Sequence, residues 1–299
     1  MILEKCIGGT PNPAWRDLVE ELDRWGAAGR VAALWWRDDD AVTASAALAD
    51  LLSLADGIPL VLAVIPAEAD RRLAPPLARH AGVAVAQHGW RHANHASGNK
   101  KSEFPDSRNR DDVAADLAAG RDRLRTLFGG RAWPVLVPPW NRFSAAFLSL
   151  LPQVGFRGLS RISPRFPAPP RREEQDVRDD SESPRPRPAR SVCGIGPGGR
   201  GVAEADVHVD LVDWKGSRGF IGEAAALGGL VAHLGARRCA EADPGKAVGI
   251  LTHHRVMDAA SRDFLDRLTR LIAAHRAARW VDAAELFGIV EPAKAASLP

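Results

Sequence analysis

Apolar and polar residues follow two rhythms along this chain, and the switch between them marks out a repeating unit. Trp15, Leu18, Leu22 and Trp25 recur at steps of three and four, a core-facing helical stripe that Gly26 and Gly29 close. Val31 to Trp36 is then a continuous apolar run of strand length, the pattern of a strand buried on both faces. Thr43 is placed to cap the next helix, whose stripe is Leu48, Leu51, Leu52 and Leu54 and whose end is Asp56-Gly57 before Pro59. The unit repeats with a strand over Leu60 to Ile65, a helix over Glu68 to His80 and a strand over Val83 to Gln87.

Farther on, Val113, Leu117, Leu124 and Leu127 predict another amphipathic helix closed by Gly129-Gly130. A strand over Trp133 to Val137 runs into Pro138-Pro139-Trp140-Asn141, a turn in which the prolines fix φ and forbid helix. Phe143, Phe147 and Leu151 have helical spacing, and Gly155 to Ser160 reads as a weak strand. The rhythm fails from Ser163 to Ala205, where prolines, arginines and acids mix with glycine, so a loop insertion is expected over 163–205. Alternation returns at Val207 to Trp214, a helix follows over about Gly222 to Arg238, and Val248 to Thr252 is the last clear strand. Asp258 caps a final long helix carrying Phe264, Leu265, Leu268, Leu271 and Ile272, and Asp282 with Glu285 has capping-box spacing. Strand candidates around Leu34, Val61, Val85, Leu136, Gly158, His208 and Ile250, with helices between most of them, predict a parallel α/β sheet or barrel.

Composition narrows the partners. The 299 residues are 45% hydrophobic, enough for one large barrel, and the net charge of +3 comes from 40 basic and 37 acidic side chains. A balance that even does not describe a nucleic-acid surface, and no apolar run approaches membrane-spanning length. Cys6, Cys193 and Cys239 are few, odd in number and without CxxC spacing, which fits a reducing compartment. With no apolar leader behind Met1, a cytoplasmic location is the expectation.

Two stretches carry candidate chemistry. Gln87-His88-Gly89-Trp90-Arg91-His92-Ala93-Asn94-His95 places three imidazoles directly after an apolar run, and a His-x-x-x-His pair can face one metal ion. A catalytic two-His-one-carboxylate site needs an acid as well, and Arg37-Asp38-Asp39-Asp40 supplies three at the end of another strand. Three adjacent carboxylates are costly unless solvated, paired or metal-bound. His253-His254 again stands at a strand end, and a barrel would gather these ends, with Trp140, Asp210 and Asp213, into one mouth.

In order and spacing these motifs resemble the polysaccharide deacetylase family, also called the NodB-homology or carbohydrate esterase 4 domain. The resemblance spans Arg37 to His254 and implies an irregular (β/α)7 TIM-like barrel, here a single domain over 1–299. It also implies a divalent ion, zinc first with cobalt or nickel as alternatives, held by Asp39, His88 and His92, with Asp38 as general base. Leu251-Thr252-His253 matches the motif that supplies the general acid, His253. Pro138-Pro139-Trp140 and Asp210-Leu211-Val212-Asp213-Trp214 match two further motifs. Pro139, Trp140, Asn141, Asp210, Asp213 and Trp214, together with His95, His208 and His254, are the candidates for binding substrate or supporting the site.

Three departures stand out: Asp40 replaces a glycine, Val137 replaces the arginine that holds the catalytic aspartate, and His254 follows His253. Arg37, Arg91 and Arg142 are the candidates to replace that arginine in space. The expected activity is hydrolysis of N-acetyl or O-acetyl groups on a carbohydrate. Hydrolysis of a non-sugar amide and non-catalytic carbohydrate binding are the alternatives; no nucleic-acid or membrane partner is expected, and the oligomeric state is open.

Overall fold

The computed structural model describes residues 12–163 and 201–289. Its frame is a parallel sheet, and the longer central strands are the buried apolar runs. The strands are β1 (Ala32–Ala41), β2 (Leu60–Val64), β3 (Val83–His88), β4 (Ala132–Val137), β5 (Gly158–Leu159), β6 (Ala203–Glu204), β7 (Val207–Asp210), β8 (Val248–Thr252) and β9 (Ala278–Trp280). They are ordered β6-β5-β4-β3-β2-β1-β8-β7, and short β9 pairs with the first residues of β1.

The sheet curls until its two ends meet. Ala203 N–H donates to Arg157 C=O at 2.8 Å and Ala205 N–H to Leu159 C=O at 3.1 Å; the ladder then continues from Val207 N–H to Arg161 C=O at 2.9 Å and from Ser163 N–H to Val207 C=O at 2.8 Å. β6 and β7 are thus two halves of one stave, interrupted at Ala205-Asp206, and with β1–β5 and β8 they make the expected (β/α)7 barrel. The predicted loop over 163–205 lies outside the described residues for 164–200, and its last residues already form β6.

Side chains divide by strand parity. Trp35, Val61, Ala63, Ala84, Ala86, Val135, Val137, Val207 and Leu251 fill the lumen, while Leu34, Trp36, Leu62, Val85, Val209 and Ile250 face the helices. The floor is closed by α8 (Ala283–Phe287), whose Phe287 meets Trp35 edge-on at 6.5 Å. Gly249 makes room for Trp35: a Cβ there would lie 2.4 Å from the indole Nε1 and 2.8 Å from Val207 Cα.

The outer layer is α1 (Pro13–Ala27), α2 (Ala46–Leu54), α3 (Ala74–Ala78), α4 (Arg110–Phe128), α5 (Leu150–Val154), α6 (Glu223–Arg238) and α7 (Ala259–Ala274). Trp15, Leu18, Leu22 and Trp25 are buried as their spacing predicts. Ser45 rather than Thr43 caps α2, accepting from Leu48 N–H at 3.1 Å. The helix expected over Glu68 to His80 is instead two 3-10 turns and the five-residue α3. Asp70 starts a fresh turn by accepting from Arg72 N–H, and Pro75-Pro76 can join a helix only at its first turn. No helix among the described residues is long and apolar enough to cross a membrane.

Candidate metal centre

β1 carries the acidic run, and the geometry of this strand separates its three carboxylates. Trp35 points into the lumen, so Arg37 and Asp39 do too, while Asp38 turns outward with Trp36. Beyond Asp38 the pairing slips: Asp38 opposes Leu62, but Ala41 opposes Val64, so β1 holds one extra residue there. Asp40 absorbs the bulge at φ 71°, a left-handed conformation that Asp tolerates better than most residues, and its carboxylate reaches the mouth.

There Asp40 meets both imidazoles of the His-x-x-x-His pair. Its Oδ1 lies 3.1 Å from His88 Nε2 and 3.5 Å from His92 Nε2. One ligand atom from each of the three residues lies within 4.8 Å of the others. His88 ends β3, and its Nδ1 lies 2.9 Å from Val137 C=O. A carbonyl only accepts, so Nδ1 carries the proton and Nε2 turns a lone pair toward Asp40 Oδ1, a buried oxygen with no other hydrogen-bond partner. Two acceptors at that distance are stable only with a proton or a cation between them. The titration tendencies of the cluster agree. Burial raises the Asp40 carboxyl, but the His88 hydrogen bond and the charges of His88, His253 and His92 outweigh it and hold the group well below the usual carboxylate range. Burial opposes protonation of His88, yet Asp39 and Asp40 carry it upward; burial and the neighbouring His88 charge push His92 downward.

The loop joining the two histidines is a tight turn. Gly89 has φ 61°, and a Cβ there would fall 1.9 Å from Glu103 Oε2 and 2.6 Å from Pro139 Cγ. Buried Glu103 accepts from Trp90 N–H at 3.1 Å and Arg91 N–H at 2.8 Å, fixing the backbone that presents His92, itself at φ 56°. Trp140, also left-handed at φ 54°, lays its ring 4.3 Å from the His92 ring.

Inside the mouth, Asp39 is held by Arg37. The guanidinium, 0% exposed, meets Asp39 Oδ1 through Nε at 2.9 Å and Oδ2 through NH2 at 3.0 Å, and also donates to Ser160 Oγ and Asn141 Oδ1, each at 2.7 Å. The Nε approach is off the hydrogen-bond angle, so Oδ1 keeps a free lone pair. Of the three arginines named as replacements, Arg37 is the one that holds an aspartate of the acidic run, and Val137 contributes the backbone carbonyl that meets His88. Across the mouth, His253 Nδ1 lies 3.9 Å from Asp210 Oδ1. Trp214, 45% exposed, packs edge-on to His253 at 4.8 Å and donates Nε1–H to Asp210 Oδ2 at 2.8 Å. Burial pushes the Asp210 carboxyl upward.

Several expected positions move. The carboxylate that meets the two imidazoles is Asp40, not Asp39, and Asp38 lies on the other side of the barrel wall. Asp38 accepts there from Thr252 Oγ–H at 2.7 Å, His254 N–H at 2.9 Å and His254 Nδ1 at 2.5 Å, which places His254 away from the mouth as well. His208 also faces outward, accepting from Gly249 N–H through Nδ1 and meeting Arg237 through Nε2 at 2.7 Å. Asp213 binds the backbone N–H groups of Gly216 and Ser217 rather than His253, and His95 is exposed outside the cluster. Pro139 packs behind Gly89, and Asn141 reaches the site through Arg37. Ser160 and Glu103 are the supporting residues that motif spacing does not mark. Arg37 was one of three arginines the motif departure pointed to, and the parity Trp35–Arg37–Asp39 singles it out.

No known sequence family and no curated protein sequence matches this chain. Its fold is that of the polysaccharide deacetylases. A candidate polysaccharide deacetylase from Mycobacterium smegmatis is 18% identical with a TM-score of 0.52 over 85% of this chain and 87% of that one. The chitin deacetylase of the fungal pathogen Colletotrichum lindemuthianum is 12% identical with a TM-score of 0.49, over 86% and 89%. A family 4 acetyl xylan esterase from Clostridium thermocellum, solved with a cobalt ion, is 14% identical with a TM-score of 0.48, over 86% and 90%.

Proposed function

We propose that this single-domain chain is a metal-dependent hydrolase that removes acetyl groups from a carbohydrate. The observation that carries the reading is the convergence of Asp40, His88 and His92 beside the Arg37–Asp39 pair at the barrel mouth. The donor set suits zinc, with cobalt or nickel as alternatives, since two imidazoles and one carboxylate leave a position open for water. A divalent ion bound there would polarise the acetyl carbonyl and lower the pKa of water.

The chain's own residues do the rest. Asp39 takes the proton of the attacking water, the plane of its carboxylate fixed by Arg37. His253, with Nδ1 on the Asp210 side, gives a proton from Nε2 to the departing amine or alkoxide. Trp140 and Trp214 flank the mouth beside His92 and His253 and offer apolar faces to a sugar ring.

The test is elemental analysis of protein purified without chelator, beside Asp40→Ala and a His88→Ala/His92→Ala double variant, followed by acetate release from N-acetylated oligosaccharides. Near-stoichiometric metal in the parent, none in either variant and acetate release by the parent alone are expected. A parent that binds no added divalent ion sinks the reading.

A further inference from the structure

The turn that follows β4 touches both halves of the site, and its backbone is strained. Among the described residues six non-glycine residues have a positive φ, and four of them, Asp40, His92, Trp140 and Asn141, stand in the candidate site. Trp140 (φ 54°, ψ 18°) and Asn141 (φ 57°) are consecutive. Asparagine tolerates the left-handed region, whereas a tryptophan stays there only when its surroundings over-determine it.

Two tethers do so. On one side the Trp140 ring lies 4.3 Å from the His92 ring, centre to centre. On the other, Asn141 Oδ1 accepts from the Arg37 guanidinium at 2.7 Å. A guanidinium only donates, so the amide oxygen and not the amide nitrogen must face it. The other acceptors of Arg37 lie on different staves: Asp39 on β1, with Ser160 Oγ and Arg161 C=O just after β5. Arg37 is fully buried, so losing the Asn141 acceptor would leave one of its N–H groups stranded. Backbone bonds from Asn141 N–H to Pro138 C=O at 2.9 Å and from Arg142 N–H to Pro139 C=O at 3.2 Å close the turn between the two tethers.

We infer that Asn141 is a positioning residue for His92: by anchoring the turn to Arg37, it keeps Trp140 left-handed and its ring against the imidazole. This role rests on the metal site proposed above. It makes metal affinity depend on a side chain whose hydrogen bond goes to Arg37 and not to Asp40, His88 or His92. It also ties the Arg37–Asp39 pair to the His92 side of the mouth through one turn.

The experiment is chelator competition with zinc as the probe, beside urea unfolding of the zinc-free proteins to show that each is folded. Asn141→Gly, which keeps the left-handed backbone and removes the acceptor, should weaken zinc binding about 10–100-fold. Asn141→Asp, which offers Arg37 an oxygen and also tolerates the left-handed region, should stay within about threefold of the parent. Trp140→Ala should weaken zinc at least as much as Asn141→Gly, and adding Asn141→Gly to it should change nothing further, because both act through one ring contact. Asn109→Ala removes the N-cap of α4, where Asn109 Oδ1 accepts from Asp111 N–H at 2.7 Å; it should lower stability and leave zinc affinity unchanged. Parent-like affinity in Asn141→Gly, an equal loss in Asn109→Ala, no rescue by Asn141→Asp or additive losses in the double variant would each overturn the inference. The expected affinities with no acetate release from N-acetylated oligosaccharides would uphold it and remove the hydrolase reading; acetate release by a protein whose Asn141→Gly variant keeps the parent's affinity would do the reverse. A parent that binds no zinc overturns both.

Discussion

Asp38, Asp39 and Asp40 are chemically identical and consecutive, yet the backbone gives each a different partner. Asp38 is sealed outside the lumen against Thr252 and His254, Asp39 is paired with Arg37 inside it, and Asp40 is turned by a left-handed φ toward two imidazoles. Substitution by Asn, which keeps size and removes charge, should therefore give three distinct phenotypes. Asp39→Asn should keep its metal and lose about 10²–10⁴-fold in kcat, the usual contribution of a positioned base. Asp40→Asn should lose metal and activity together. Asp38→Asn removes a buried carboxylate that accepts from Thr252 and from the backbone and ring of His254, so a stability loss of about 1–3 kcal/mol is expected, with turnover per folded molecule retained. Urea unfolding, metal content and initial rates on the three proteins separate these outcomes, and an Asp38 variant that is stable but inactive would return the base role to that residue.

Among the elements, the strands were the legible part, because a strand buried on both faces leaves a short apolar run that a surface segment does not. Val31 to Trp36, Leu60 to Ile65 and Val248 to Thr252 fall on β1, β2 and β8 for that reason. Parity along β1 was equally present in the sequence and assigns Asp39 to the lumen once Trp35 is placed there. The bulge at Asp40 was not: a one-residue slip depends on how β2 pairs, and nothing local announces it. The helix expected before His80 failed because Leu73 and Leu77 satisfy the core at helical spacing even on a broken segment. The His88–His92 turn depends on Glu103, a partner beyond the reach of motif spacing. Its weak point is Gly89, where a side chain would meet both a positive φ and the Glu103 carboxylate. Gly89→Ala should displace Glu103 and loosen the backbone that aims His92, weakening metal affinity about 10–100-fold as for other losses of ligand support. Chelator competition measures this, and unchanged affinity with an intact fold would show that Glu103 does not orient the loop.

For the whole molecule, the barrel does two things: it gathers chemistry at one end and buries polar groups wherever its staves meet the helices. His208 on β7 and His233 on α6 illustrate the second, packed edge-on at 4.7 Å with the Arg237 guanidinium against His208. Burial first, and the Arg237 charge next, push His208 down to about 2 and His233 down to about 4. In the unfolded chain both protonate near pH 6.5. Both folded values are depressed, so the unfolded state binds the extra protons: stability is complete above about pH 6.5 and declines below it by about 1.4 kcal/mol per pH unit for each group. The two declines run together down to about pH 4, where His233 protonates in the folded protein too, and His208 alone continues the loss toward about 2. Urea unfolding from pH 7 to pH 4.5 should show this slope, and His208→Asn, which keeps an acceptor for Gly249 N–H, should make it shallower by one group's share. Because this cluster faces the helix layer and the proposed metal ligands face the mouth, the acid loss should also persist in an Asp40→Ala background. A slope that vanished with the metal site would assign the pH dependence to the mouth instead.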